Sequence, residues 1–296
     1  MEHVERTPVA TCPLCGSNRT RLSGLGAIEY IGHVLRFLSC AACGSDYLNP
    51  MPTDAMLDVL YGHGYQSSFE ADPAIEDPKE PRLVRNWLAR SQCGVFVDFG
   101  CGSGSMLAQA KALGWEAIGV ERDAAVAATV ARTTGARVVR RVEELGTSFA
   151  DVLHLGDVIE HLTRLDEQVR PLVRLLKMNG TLLAQGPLEA EPSVFNSCVR
   201  VGRYLRGAPT SAAAPYHVIL ATSRGQRLFF QRLGLEEMAF RSWEVSWPAP
   251  SRLSPRDLLF PRRVALFGLR RVSQAVTTLY PKFGSNRFFY AGQVRS

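Results

Sequence analysis

The stretch from Gly94 to about residue 190 constrains the fold most. Five short apolar runs, near 95–99, 115–121, 136–140, 151–156 and 181–185, alternate there with helical stretches. Parallel strands need a crossover between each pair, and helices laid over both faces make each strand apolar along its length. The alternation therefore predicts an α/β fold built on a doubly wound, mostly parallel sheet. The first run leads into Val97-Asp98-Phe99-Gly100-Cys101-Gly102-Ser103-Gly104, and the second closes on Glu121. Glycines at the carboxyl end of the first strand let backbone approach a ligand closely. An acid at the end of the second is placed to accept hydrogen bonds from a ribose diol. Together they predict a nucleoside pocket.

The seven cysteines are not spread like a disulfide framework. Cys12-Pro-Leu-Cys15-Gly and Cys40-Ala-Ala-Cys43-Gly form two pairs before residue 50, while Cys93, Cys101 and Cys198 are scattered. Two such pairs, each biting one ion from a tight turn, match a four-thiolate zinc site with a structural role, because no coordination position is left open for chemistry. Ile28, Tyr30, Val34, Arg36 and Leu38 partly alternate between the pairs and predict a short hairpin. Residues 1–50 are thus expected to form a zinc ribbon. Residues 51–81 are expected to form a helix capped by Thr53 or Asp54, running through Leu60, and then a linker marked by Pro73, Pro78 and Pro81.

A nicotinamide dinucleotide fingerprint, G-x-G-x-x-G, would carry its third glycine where Ser105 stands. The D-x-G-C-G-x-G turn of this chain instead resembles that of class I S-adenosylmethionine (SAM)-dependent methyltransferases. So do Glu121, the segment Leu155-Gly156-Asp157-Val158-Ile159-Glu160-His161-Leu162 and the segment Leu176-Lys177-Met178-Asn179-Gly180-Thr181. The resemblance implies a seven-stranded, Rossmann-like sheet with an antiparallel last strand, occupying residues 82–296 with acceptor-side insertions near 188–220 and 250–284. It also implies that Asp98, Gly100, Cys101, Gly102 and Gly104 hold the methionine part of SAM, that Glu121 holds the ribose, and that Gly156 and Asp157 border the cofactor. Glu143, the acid nearest the end of the third strand, is a candidate adenine contact or else a solvated helix-start residue.

Methyl transfer to oxygen needs a positioned acceptor and a group that takes its proton. Asp157, Glu160 and His161 have the i, i+3, i+4 spacing of one helix face, and His217 lies downstream. This set is similar to the E-x-x-E-H plus downstream His of plant small-RNA 2′-O-methyltransferases, where these groups bind a divalent cation. Here an aspartate replaces the first glutamate. Two readings follow: a Mg2+ or other divalent cation held by Asp157, Glu160, His161 and His217, or metal-free catalysis with either histidine as general base. Arg200, Arg203 and Arg206 could share one helix face and bind phosphate, or form a solvated cationic face.

Residues 223–233 predict a helix, 236–247 a strand, and 287–294 the antiparallel last strand. Between them Ala265, Leu269, Val272, Val276 and Leu279 recur at helical spacing beside Arg262, Arg263, Arg270 and Arg271. Burial of that stripe within the protein or against a second subunit is one expectation, and peripheral contact with an anionic membrane is the other. From Arg252 onward nine basic residues face one acid, Asp257, so that of the net charge of +6 this stretch carries +8 and the rest −2. Such a distribution argues against a chain that binds nucleic acid throughout. The start lacks a basic region followed by an apolar one, so a cytoplasmic enzyme is expected. Its expected partner is a small-molecule or glycan acceptor of a bacterial polysaccharide or natural-product pathway. An RNA methyltransferase docking through the ribbon, a nicotinamide oxidoreductase and a noncatalytic nucleotide binder are the alternatives.

Overall fold

The computed structural model describes residues 9–61, 79–205, 214–246, 252–280 and 284–295, which belong to two compact units. In chain order the strands are β1 (Thr20–Tyr30), β2 (His33–Cys40), β3 (Asp46–Asn49), β4 (Val95–Phe99), β5 (Glu116–Val120), β6 (Arg137–Val139), β7 (Ala150–Gly156), β8 (Leu176–Pro187), β9 (Ile219–Leu220), β10 (Leu235–Trp243) and β11 (Arg287–Val294). The helices are α1 (Asp54–Leu60), α2 (Lys79–Leu88), α3 (Ser105–Ala112), α4 (Ala124–Thr134), α5 (Leu165–Val173), α6 (Val194–Leu205), α7 (Ser223–Arg232) and α8 (Pro261–Leu279).

One unit comprises residues 78–186, 227–241 and 288–296 and is built on a seven-stranded sheet of order β10-β11-β8-β7-β4-β5-β6. The sheet is mostly parallel with one antiparallel strand, as expected. β4 pairs in parallel with β5 and β7, β5 with β6, and β7 with β8. Its central strands are apolar because helices cover both faces: Phe96, Val97, Leu153, Leu155, Leu182 and Leu183 are fully buried. Local chemistry sets the crossovers. The Asp123 carboxylate accepts from Ala125 N and Val126 N to start α4, and Gly135, at φ 62°, ends it. Only β8 departs from its expected start. Leu176 already pairs with Ala150, but the next pair is Thr181 with Val152, so residues 177–180 bulge out of the ladder and interrupt the apolar pattern. Pro81, expected in a linker, sits in the first turn of α2, where its missing N–H costs nothing; Pro73 and Pro78 lie outside the described residues.

The other unit comprises residues 1–77, 187–226 and 242–287. Its four-stranded sheet has the order β1-β2-β3-β9, so a strand from the 188–220 segment completes the sheet begun by the cysteine-rich segment. Tyr47 pairs with Ile219, Leu48 N donates to Val218 O at 2.9 Å, and the Thr222 hydroxyl donates to Cys43 O at 2.7 Å. The hairpin of β1 and β2 turns on Ile31-Gly32, both at positive φ, the two-residue turn whose twist suits paired strands. The expected hairpin forms; on β2 Leu35 and Phe37 are buried while Val34 and Arg36 are exposed, and on β1 Ile28 is buried. Thr53 caps α1 by accepting from Met56 N.

Helix α8 leaves much of its apolar stripe outward: Ala265, Val272 and Leu279 are exposed, and Leu269 and Val276 half-buried. Arg270 and Ser273 are its buried residues, and Val272 and Leu279 are 56% and 75% exposed. Glu244 is the reason: its carboxylate accepts from Arg270 at 2.5 Å and from the Ser273 and Thr277 hydroxyls at 2.7 Å each. The guanidinium also lies 3.4 Å from the Phe195 ring centroid. A buried charge answered this fully can hold a polar helix face inward.

Candidate functional site

In the seven-stranded unit the glycine turn leaves β4 with Gly100, Gly102 and Gly104 at φ 72°, 48° and 75°. Gly100 N and Cys101 N both donate to Val120 O, which stitches the turn to the end of β5. The last two glycines face different surroundings. A Cβ on Gly104 would stand 2.5 Å from Val130 Cγ1 and 3.0 Å from Thr134 Cγ2, so this glycine lets α3 and α4 pack. A Cβ on Gly102 would meet nothing nearer than Gly100 O at 3.9 Å. Glu121 stands over that open space. Its Oε2 accepts from Gly102 N at 3.2 Å and its Oε1 from Asp123 N at 3.0 Å, and each carboxylate oxygen keeps a further lone pair for a diol. Backbone that accepts no side chain without filling this space, beside an acid oriented by two amides, fits a nucleoside cofactor.

Asp98 is not open to that space in the same way. It is 4% exposed and its Oδ1 lies 2.7 Å from His154 Nδ1. A carboxylate only accepts, so Nδ1 carries the proton. His154, on β7, is 2% exposed, and its Nε2 has no hydrogen-bond partner among the described residues. A Cβ on Gly156 would lie 2.6 Å from the His154 ring. Sequence reasoning missed His154, although a histidine inside Val152-Leu153-His154-Leu155 is the signal that could have found it. Cys101 is 6% exposed, and burial, aided by the charges of Asp98 and Glu121, pushes its thiol up to about 12. At neutral pH it is a protonated packing residue. Glu143 sits in a 3-10 turn at the surface, 3.3 Å from Arg141; its own backbone amide, then the Arg141 side chain, hold its carboxyl below the usual range.

The helical face expected of Asp157, Glu160 and His161 does not form. Asp157 is at φ 51° with its N–H donated to Gln185 O, Val158 is also non-helical, and the 3-10 turn begins only at Ile159. The local β7 turn thus takes Asp157 out of register with the other two. Glu160 is 4% exposed, and its Oε1 lies 3.9 Å from Nε2 of the partly exposed His161. That spacing suits an ion pair once the imidazole gains a proton.

His217 belongs to the other unit. Its Nδ1 lies 2.7 Å from Glu189 Oε2, both side chains being partly exposed, an arrangement that fixes the imidazole's orientation. Glu189 was not singled out in the sequence because it is 28 residues from its partner. Asn196 holds the intervening loop by donating to Glu189 O and Glu191 O, while Glu191 accepts from Ser223 N at the start of α7. Arg200 pairs at 2.5 Å with the fully buried Asp46 and is committed to the fold. The Arg203 side chain and Arg206 lie outside the described residues.

In this second unit Cys12, Cys15, Cys40 and Cys43 converge, all four sulfurs lying within 4.8 Å of one another. Cys12 and Cys43 are 3.7 Å apart and Cys15 and Cys40 3.5 Å. Zinc bound tetrahedrally at about 2.3 Å would space its sulfurs by about 3.8 Å. The two turns repeat one geometry: Gly16 N donates to Cys12 O and Gly44 N to Cys40 O, with both glycines at positive φ.

Residues 97–184 match the family described as a methyltransferase domain. No curated protein sequence matches the chain. Similar solved structures include a SAM-dependent methyltransferase from Archaeoglobus fulgidus, 18% identical, with 72% of this chain and 94% of that one covered at a TM-score of 0.47. Another is a geranyl diphosphate C-methyltransferase from Streptomyces coelicolor A3(2) in complex with Mg2+, geranyl diphosphate and S-adenosyl-L-homocysteine, 13% identical, with 75% and 89% covered at 0.47.

Proposed function

We propose, taking as premise that residues 97–184 form a class I SAM-dependent methyltransferase domain, that this chain methylates a hydroxyl of a small-molecule or sugar acceptor. The observation that carries the reading is Glu121, pinned by Gly102 N and Asp123 N over space that a side chain at position 102 would fill. Bound SAM supplies an electrophilic methyl group and leaves as S-adenosylhomocysteine. Glu121 binds the ribose diol, the turn from Asp98 to Gly104 takes the methionine part with Gly156 and Asp157 beside it, and Glu143 approaches the adenine. His161 takes the acceptor's proton, and buried Glu160 stabilises the imidazolium that results. His217, oriented by Glu189, is the second candidate base. The four N-terminal thiolates hold zinc that maintains the fold.

Calorimetric titration with SAM, S-adenosylhomocysteine and NADH, repeated for Glu121→Ala, tests the cofactor. Binding of the first two, weakened in the variant, is expected; binding of NADH alone would overturn the reading. An acceptor screen follows with and without magnesium. Base catalysis by histidine predicts turnover indifferent to the ion, whereas cation assistance through Asp157, Glu160, His161 and His217 predicts dependence on it. A steep fall of acceptor affinity with salt would move the proposal to RNA.

A further inference from the structure

The solvent side of α8 carries an apolar stripe, while Val264, Leu266, Phe267, Leu269 and Val276 are half-buried. Pro261, Ala265, Gly268, Val272, Ala275 and Leu279 follow one another at intervals of four and three, and all are exposed. Leu258, Leu259 and Phe260, just before the helix, are 63%, 79% and 56% exposed, and Tyr280 just after it is 62% exposed. A surface helix ordinarily turns such a stripe inward. Here the interior position is taken by Arg270, Ser273 and Thr277 on Glu244. The stripe is therefore outward by construction of the core beneath it, and contiguous exposed apolar surface of this kind marks an interaction site.

Charge says what kind of partner it fits. Arg252, Arg256, Arg262, Arg263 and Arg271 are all exposed around the stripe. The one acid between residues 252 and 280, Asp257, is buried and bonded to Ser254 and Arg263. A second copy packed on this face about a two-fold axis would set arginine against arginine with no carboxylate to answer. An anionic lipid surface answers Arg252, Arg256, Arg262 and Arg271, and three consecutive large apolar side chains at a turn suit the acyl boundary beneath the headgroups. No helix among the described residues is long and apolar enough to cross a membrane, which leaves contact in the plane of the interface.

We propose that Leu258 to Tyr280 is an amphipathic membrane-docking element, with α8 lying flat on an anionic bilayer, Leu258, Leu259 and Phe260 inserted, and Arg262 and Arg271 at phosphate level. This inference goes beyond methyl transfer and does not depend on it.

The test uses the full chain in co-sedimentation with phosphatidylcholine vesicles, with and without about 30% phosphatidylglycerol, at two salt concentrations. Binding is expected only with the anionic lipid and weaker at high salt. Replacing Arg262 and Arg271 by Gln should lower partitioning roughly fivefold for each arginine removed. The triple variant Leu258→Ser, Leu259→Ser, Phe260→Ser should lower it roughly tenfold or more. Because these side chains are exposed, both variants should melt like the wild type and retain cofactor binding. No sedimentation, equal binding to neutral vesicles, or variants that partition like the wild type would overturn the proposal. So would a concentration-dependent dimer, seen by sedimentation velocity, that the triple variant abolishes.

Discussion

Alanine at position 102 and alanine at position 104 introduce the same methyl group two residues apart, at backbone angles that both disfavour it. Each variant carries a conformational penalty of about 1–2 kcal/mol for a side chain in the left-handed region. At Gly102 nothing is added to that, because the nearest atom to the new Cβ is Gly100 O at 3.9 Å. At Gly104 the methyl would press on Val130 Cγ1 at 2.5 Å and Thr134 Cγ2 at 3.0 Å. Overpacking a helix contact costs about 1–3 kcal/mol more, so Gly104→Ala should lose about 2–5 kcal/mol of stability and Gly102→Ala about 1–2. Binding should be ordered the other way. Strain at Gly102 is present with or without ligand and cancels from the affinity, but the methyl occupies the space assigned to cofactor. A clash of about 3 kcal/mol there weakens S-adenosylhomocysteine about a hundredfold. Urea unfolding and calorimetric titration read the two effects separately. If Gly102→Ala binds the ligand as the wild type does, the turn is not the floor of the cofactor site. If the two variants are equally stable, the division of labour between the glycines is wrong.

Chelation, or Cys40→Ser, should release zinc and unfold the sheet of β1, β2, β3 and β9, read as lost protection of their amides in hydrogen exchange, while β4, β5 and β7 stay protected. His154→Leu should cost about 3–5 kcal/mol by stranding the buried Asp98 carboxylate, and Asp98→Asn added to it should recover part of that loss in urea unfolding. Arg270→Met should cost a similar amount, about 3–5 kcal/mol, because Glu244, 2% exposed, keeps two hydroxyl partners but loses its countercharge. The double variant Arg270→Met, Glu244→Gln should be less destabilised than Arg270→Met alone. If it melts lower, the pair is not the electrostatic unit described.

What could be read in the sequence was local. β4, the glycine turn and Glu121 lie within 27 residues, and their signals, an apolar run, glycines and a closing acid, need no distant partner. The two C-x-x-C pairs are local for the same reason. What could not be read depends on pairing across the chain. Asp98 was singled out, but His154 stands 56 residues away. The apolar stripe of α8 was seen, but its direction depends on Glu244, upstream on another segment, which makes a polar face the better one to bury. Strand β9 has two residues and no pattern of its own; only the open edge of β3 gives it a strand's geometry.

That edge also bears on the order of synthesis. The cysteine-rich segment is made well before its partner strand, so β3 lacks its neighbour until Ile219 and Leu220 exist, and Cys43 O lacks the hydroxyl of Thr222. Between Asn49 and Leu220 lie 170 residues, which at about 5–20 residues per second take about 9–34 s to add. On the proposed zinc site, metal capture by the four thiols would stand in for the missing strand over that interval, and a nascent segment without its ion would present an unpaired β edge to its neighbours.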